Sequence, residues 1–298
     1  MSDFLFVTAQ GIAVGSQLAL VALGFVIIYK ATGVINFAQG GLVLVGAYLT
    51  YNVTHTWGLP FAVAVLIAMA GAAVVGAGAE RVALRPLIGR PVFASIMVTI
   101  GVLFVLEQVV TSIWGDATHN LGDPWGNSAV HAGSVPIAVK DIWSVGIAAV
   151  AVTAFFLFFR YTSTGIAMRA TALDAEAALA QGISPGRVYT VAWAVSGAVA
   201  ALGGITLAAG GAKLSPGLDL TALVAFPAII LGGLDSPPGA VVGGLLIGLS
   251  QEYTARYLDR YSGVLGENFH VAMPYVLMVL VLLVRPYGLF GTKAVRRV

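Results

Sequence analysis

Two carboxylates, Glu107 and Glu252, stand inside long apolar stretches of this 298-residue chain. A charge so placed faces a bundle interior or a water-filled cavity rather than hydrocarbon. Glu252 has Arg256 four residues on, the spacing of a helical ion pair, so a structural role is expected of it. Glu107 lies about two turns before Trp114 and has no basic residue near it in sequence, which leaves interhelical bonding and cavity lining both open. A proton relay needs a chain of such groups, and two carboxylates do not make one. His55, His119, His131 and His270 lack the spacing of metal ligands, and the chain has no cysteine, which excludes thiol nucleophiles, disulfides and thiolate metal sites. No phosphate-binding Gly-x-x-x-x-Gly-Lys-Ser/Thr, no His-Glu-x-x-His and no Gly-x-Ser-x-Gly run occurs. Gly71 to Gly76 is glycine-rich, but it lies within an apolar stretch and cannot cradle a phosphate. No catalytic residue, metal or cofactor is therefore assigned to this chain, and it is not expected to hydrolyse ATP.

The elements that hold these residues are set by composition. Charged residues are 9% of the chain and hydrophobic residues 59%, against about 25% and 45–50% in soluble domains. Twenty-eight charged side chains cannot cover the surface of a soluble domain of this length. The net charge of +2 gives no field for a polyanion, so nucleic acid is excluded as a partner. What remains is a polytopic protein of the lipid bilayer. No basic segment precedes the first apolar stretch, so a cleaved signal peptide is not expected.

A spanning helix takes about 20 apolar residues. Candidate spans are 4–29, 34–51, 60–79, 92–114, 142–159, 188–209, 239–257 and 271–284, with a shorter interrupted stretch at 220–234. They are continuously apolar rather than alternating, which excludes a β-barrel. The expected fold is an all-α transmembrane bundle of about eight to nine membrane elements in one domain, 1–298. If every candidate crosses, Lys30, Arg81, Arg85, Arg90, Arg160, Arg169, Arg187, Arg285, Lys293, Arg296 and Arg297 share one side. Lys140, Lys213, Arg256 and Arg260 take the other. The richer side is the cytoplasmic one. That places loop 160–187 and the tail inside and loop 115–141 outside. If 220–234 instead forms a broken pair with its neighbour, 235–239 still belongs near the inner side.

Within 160–187, residues 166–181 have high helix propensity and no Gly or Pro, Gly182 is a stop, and Pro185 prevents resumption. One short helix is expected, either a plain connector or a docking helix for a cytoplasmic partner; Arg169, Asp174 and Glu176 keep it out of hydrocarbon. Asn36 and Gln39 stand at the inner end of the second span, where buried amides need partners. They either bond the helix start or line a pathway. Gly40, Gly41 and Gly46 permit close approach of a neighbouring helix. Pro227 with Gly232 and Gly233 interrupts 220–234, as a kinked packing helix or as the broken helix of a transport path. Gly239-x-x-x-Gly243 and Gly244-x-x-x-Gly248 form small-residue stripes for helix contact, within the chain or with a second membrane subunit.

Three of these segments carry a resemblance. Glu176-Ala177-Ala178-x-x-x-Gly182 is similar to the EAA…G loop of permease subunits of bacterial ATP-binding-cassette importers. Ile35-Asn36-Phe37-Ala38-Gln39-Gly40 and the run from Ala225 to Ala240 resemble two segments of the branched-chain amino acid permeases among them. Gln39 stands where relatives carry His or Gln, so no ionisable role passes to it. Asp235 and Pro227 also depart from the commoner pattern. The resemblance covers essentially the whole chain. It implies an ATP-driven importer in the bacterial cytoplasmic (inner) membrane. Its further parts would be two ATPase subunits that bind ATP and Mg, a second related permease and an extracytoplasmic substrate-binding protein. Arg169, Asp174, Glu176, Ala177, Ala178 and Gly182 would then couple to the ATPase. Asn36, Gln39, Gly41, Glu107 and Pro227 would line the translocation route. The alternatives are a relative that carries urea or short amides and an ion-coupled secondary transporter.

Overall fold

The computed structural model describes residues 2–126, 128–132, 135–210, 213–258 and 268–292. Arg260, Lys293, Arg296 and Arg297 lie outside the described residues. Twelve helices account for most of the described chain. They are α1 (Ser2–Thr32), α2 (Gln39–Tyr51), α3 (Phe61–Ala79), α4 (Val92–Trp114), α5 (Val139–Tyr161), α6 (Ser163–Leu173), α7 (Ala175–Ala180), α8 (Pro185–Ala208), α9 (Leu218–Leu223), α10 (Ala225–Gly232), α11 (Pro237–Tyr257) and α12 (Phe269–Val284). Proline sets several starts. Pro60 and Pro91 immediately precede α3 and α4, and Pro185 and Pro237 open α8 and α11, where a missing N–H costs nothing.

Length and apolarity qualify five helices as spans: α1, α3 with the turns that follow it, α4, α5 and α8. The pair α9–α10 and α11, bent by 119° at a short break, makes a sixth when counted together. The count by this measure is five to six, fewer than the eight to nine elements expected. α2 has only 13 residues before a π-helical turn at Asn52–Thr56, and α12 has 16.

α1 is the axle of the bundle. Its apolar window is 83% buried, against 17–22% for α3, α4 and α5, whose outer faces carry Leu66, Val74, Phe104 and Val150 to the surroundings. α11 packs on α1 through one small-residue stripe and on α10 through the other. Gly248 and Gly244 face Gly15 and Ala19 of α1, while Gly243 and Gly239 face Ala228 and Gly232 of α10. A Cβ on any of these α11 glycines would strike backbone. The stripes are therefore used within the chain, and backbone-to-backbone contact supplies the dispersion that lipid cannot.

α9 ends at Leu223 because Pro227 lacks the N–H that would bond the Leu223 carbonyl, and its ring crowds that carbonyl. The expected interruption is present. Loop 115–141 is ordered where described. β2 (Ala129–Ala132) and β3 (Val135–Ala138) form an antiparallel hairpin, with Val130 opposite Ile137. β1 (His119–Asn120) pairs antiparallel with β4 (Lys213–Leu214). His119 also stacks on Tyr51, 4.6 Å between ring centroids, and Tyr51 on His55.

Candidate functional site

The segment between α5 and α8 is not the single helix expected over 166–181. It breaks at Asp174, whose backbone is extended (φ −159°, ψ 105°) and whose carboxylate accepts from the N–H groups of Glu176 (3.0 Å) and Ala177 (2.9 Å). An aspartate competes with the helix for backbone donors and here wins, capping a new helix instead of continuing the old one. α6 is capped in the same manner by Thr162, which accepts from Gly165 N at 3.0 Å. At its other end α7 closes as the glycine predicts. Gly182 takes φ +83°, its N–H bonds Leu179 O (2.9 Å) and the Ile183 N–H bonds Ala178 O (3.0 Å). These are the two bonds of a Schellman ending. Pro185 does not merely block the helix; it is the first residue of α8.

α7 thus has both ends fixed by its own residues. Ala178 is buried on its inner side, while Leu179 is 60% exposed and Leu173, just before the break, 89%. Arg169 leans back over the Phe159 ring and donates to Arg160 O at 3.3 Å. Glu176 and Ala177 lie on the capped first turn.

The turn into α8 is tied to α3 by a network that the sequence reading missed. α3 runs into a π-helical turn, Glu80–Leu84, that brings Glu80 inside at 1% exposure. The Thr190 hydroxyl donates to Glu80 Oε2 at 2.6 Å. Arg85 pairs with the same oxygen at 3.3 Å and donates to Gly186 O at 2.9 Å. Glu80 stands one residue past the third candidate span, beside Arg81, and nothing in its spacing marks it as buried.

Asn36 and Gln39 are both fully buried. Asn36 Oδ1 accepts from Ala38 N at 3.0 Å, which shapes the turn into α2. Gln39 Oε1 accepts from the Ser196 hydroxyl at 2.8 Å, and that hydroxyl also reaches Gly24 O on α1. Asn36 thus bonds at the helix start, one of the two roles expected, whereas Gln39 bonds across to α8 instead. Their nitrogens, Asn36 Nδ2 and Gln39 Nε2, have no partner among the described residues. Gly41 faces the Leu106 side chain of α4 and Gly40 the backbone of Asp219. Asp219, at 2% exposure, is a second buried carboxylate that sequence alone did not single out; it bonds Leu220 N at 2.7 Å. Phe37 packs on Phe226, the neighbour of the buried Pro227, at 5.5 Å between centroids. Glu107 is half-buried on α4 and has no hydrogen bond or ion pair among the described residues.

The expected Glu252–Arg256 pair does not form. Arg256 instead grips Asp3 of α1, Nη2 to Oδ1 at 2.7 Å with Nε at 3.1 Å. The geometry is a bidentate fork, and it outcompetes a single helical contact. Glu252 faces a cavity beside Gln17, Ser144 and Asp141.

The cationic residues sort by end. Lys30 donates to Asp235 O at 2.9 Å and shares a cavity with Arg169, while Arg85 and Arg90 lie at the same end beside Gly186 and Thr32. Asp235 also bonds Thr292 through its carboxylate. Arg256 with Asp3, Lys140 with Gly210 and Lys213 with Asn120 occupy the opposite end.

Apolar helices long enough to span, packed on a glycine-lined axle with their charges at the two ends, define an α-helical integral membrane protein. Its polar interior holds amides and carboxylates on interrupted helices, where a membrane protein handles a solute. The profile of the family described as "Branched-chain amino acid transport system / permease component" matches residues 7–282. The chain belongs to that family, and it is a transport permease component. Among similar proteins is the high-affinity branched-chain amino acid transport system permease protein LivH of Escherichia coli (strain K12), 30% identical over 99% of each chain. BraD of Pseudomonas aeruginosa, of the same description, is 29% identical over 97% of this chain and 96% of its own. A probable LivH of Methanocaldococcus jannaschii is 27% identical over 92% and 88%. A chain of PsaBC from Streptococcus pneumoniae in complex with Fab superposes with a TM-score of 0.49 at 12% identity, covering 93% of this chain and 91% of that one. That likeness is too weak to carry an argument.

Proposed function

We propose that the chain is the membrane-spanning subunit of an ATP-driven importer of branched-chain amino acids, seated in the bacterial inner membrane as a multi-pass protein. The arginine-rich end faces the cytoplasm. α7 docks an ATPase subunit there. Two such subunits bind ATP and Mg and do the hydrolysis, and this chain is non-catalytic. A second related permease completes the route, and an external binding protein delivers the substrate. Affinity resides in that protein, since a tight midplane site would slow release.

The observation that carries this reading is α7 itself. Six residues make no stable helix alone, yet this one is capped at both ends and presents Leu179 to the exterior at the charged end of the molecule, as the segment before it presents Leu173. An apolar ridge on a rigid short helix fits a groove in a partner. Arg169, Asp174, Glu176, Ala177, Ala178 and Gly182 build that element. The route runs along α2 and the α9–α10 break, past Asn36, Gln39, Gly41 and Pro227, with Glu107 towards the outer side. It is lined mostly by small and apolar residues.

The test uses single cysteines in this cysteine-free chain. Cysteine at 176 should resist an impermeant thiol reagent in intact cells and react in inverted vesicles; cysteine at 120 should do the opposite. In proteoliposomes, leucine uptake should require ATP, the ATPase subunits and the loaded binding protein. Uptake driven by a proton gradient without ATP would establish the ion-coupled alternative, and urea uptake in place of leucine would move the substrate.

A further inference from the structure

Beneath the turn that joins α1 to α2, a cavity of about 150 Å³ opens between α1, the end of α3, the start of α4 and α8. It has several times the roughly 30 Å³ share of one water, and it is smaller than the 300–1,000 Å³ clefts that take drug-sized ligands. Its walls are apolar at Ile28, Leu84, Val92 and Trp193. Its polar groups are unevenly used. Glu80 is already spoken for by Arg85 and Thr190. The Thr99 hydroxyl accepts from Phe37 N and donates to Ile96 O.

Asn36 is different. It is 1% exposed, its Oδ1 is engaged by Ala38 N, and its Nδ2 has no partner among the described residues. A buried amide N–H left unbonded costs free energy, so an occupant must supply an acceptor. Ser95 and Tyr189 bring hydroxyls with no hydrogen bond to a described residue, and Arg90 brings a guanidinium with no partner among the described residues. The unspent groups are an amide N–H, two hydroxyls that can donate, and a cation. The carboxylate that lines the cavity, Glu80, is paired with Arg85. Such a cavity selects an anion with a small apolar body.

We propose that this cavity binds a small aliphatic carboxylate, namely the imported amino acid on the inner side of the protein. Resting on the function proposed above, this adds a site that holds the product by its carboxylate and side chain. The ammonium group contributes little, because no free carboxylate meets it. The site therefore accepts the corresponding 2-oxo acid as readily as the amino acid, and it rejects the amide.

The experiment is equilibrium dialysis on the purified permease–ATPase complex in nanodiscs, without binding protein. The probes are L-leucine, 4-methyl-2-oxopentanoate and L-leucinamide. Leucine and the oxo acid should bind saturably with similar affinity, and leucinamide at least tenfold more weakly. Asn36→Asp keeps the oxygen that receives Ala38 N and replaces the free donor with a negative oxygen; it should weaken both carboxylates at least tenfold. Arg90→Gln, in an exposed loop, should weaken them as well, and Val92→Trp should close the mouth. Should Asn36→Asp fail to assemble, the latter two variants decide. The proposal is overturned by the absence of saturable binding, by leucinamide binding as well as leucine, by indifference to Arg90→Gln and Val92→Trp, or by an anionic phospholipid that leucine does not displace. The same preparation is assayed for import from loaded binding protein. Import without this binding defeats the cavity alone, whereas binding without import leaves the site and defeats the transport reading.

Discussion

Gly182→Val separates a backbone requirement from a steric one at the end of α7. The glycine sits at φ +83°, and a Cβ built on it meets nothing within 4 Å. The cost of a side chain there is conformational alone, about 1–2 kcal/mol for an L residue in the left-handed region, and valine's branched carbon adds to it. One to two kcal/mol is a factor of about 5–30 in the population of a two-state element. α7 has six residues and no reserve to absorb this. The Val variant should therefore bind the ATPase subunits about 5- to 30-fold more weakly, measured by titrating labelled ATPase against the permease in detergent. Asparagine tolerates the same backbone, so Gly182→Asn should stay within about threefold of the natural protein. Asp174→Ala removes the acceptor of two N–H groups at the other end, at about 1 kcal/mol, or roughly fivefold. Valine binding as tightly as glycine would refute the capping argument. Asparagine losing as much as valine would mean that the partner excludes any side chain at 182 and that backbone geometry is not the cause.

Breaking the Glu80–Arg85 pair should be asymmetric. Arg85→Ala strands a carboxylate whose side chain is 2% exposed, at about 3–5 kcal/mol, whereas Glu80→Gln leaves an arginine that is 36% exposed and can turn to water; thermal unfolding in detergent should show the larger fall for Arg85→Ala. Gly46→Leu should abolish assembly, because its Cβ would collide with the Ala201 backbone. Gly41→Leu should reduce uptake without loss of the complex, because it meets the Leu106 side chain, which can rotate; equal yields of the two variants would contradict this. Glu107→Gln should change the uptake rate only modestly, and a total loss of uptake would favour ion coupling.

Short-range features of the chain were legible in its sequence, and long-range ones were not. The stop at Gly182 and the break ahead of Pro227 follow from local backbone rules, whereas the sequence left open whether the α11 glycines meet this chain or another, and they meet α1 and α10. Burial did not follow from hydropathy. α1 and α5 have nearly the same value, 2.2 and 2.3, yet one is 83% buried and the other 17%. A lipid tail is as apolar as a leucine core, so no amphipathic pattern marks the inner face. Arg256 found its partner 253 residues away at Asp3 rather than four residues away at Glu252. Glu80 was hidden for a related reason, since its carboxylate turns inward at a π-helical turn that no simple spacing announces. At Asp174 the signal was present, an aspartate two residues before a glutamate in a run of alanines, but helix propensity was weighed over capping.

The burial of α1 bears on how the protein is made. About 200 residues separate its end from the start of α11, its principal neighbour. At 5–20 residues per second, synthesis of that interval takes about 10–40 s. Throughout it, Gly11 and Gly15 lack the α11 backbone they pack on, and Gln17 waits for Ser144 and then the Thr206 carbonyl until α5 and α8 are made. α1 is apolar enough on every side to wait in the bilayer. Its exchange of lipid for protein gains no hydrophobic free energy and must be driven by close packing once α8 and α11 arrive. A nascent chain arrested before α11 would thus carry a membrane-stable first helix whose Gly11 and Gly15 face lacks its partner and lies open to intramembrane proteases and chaperones.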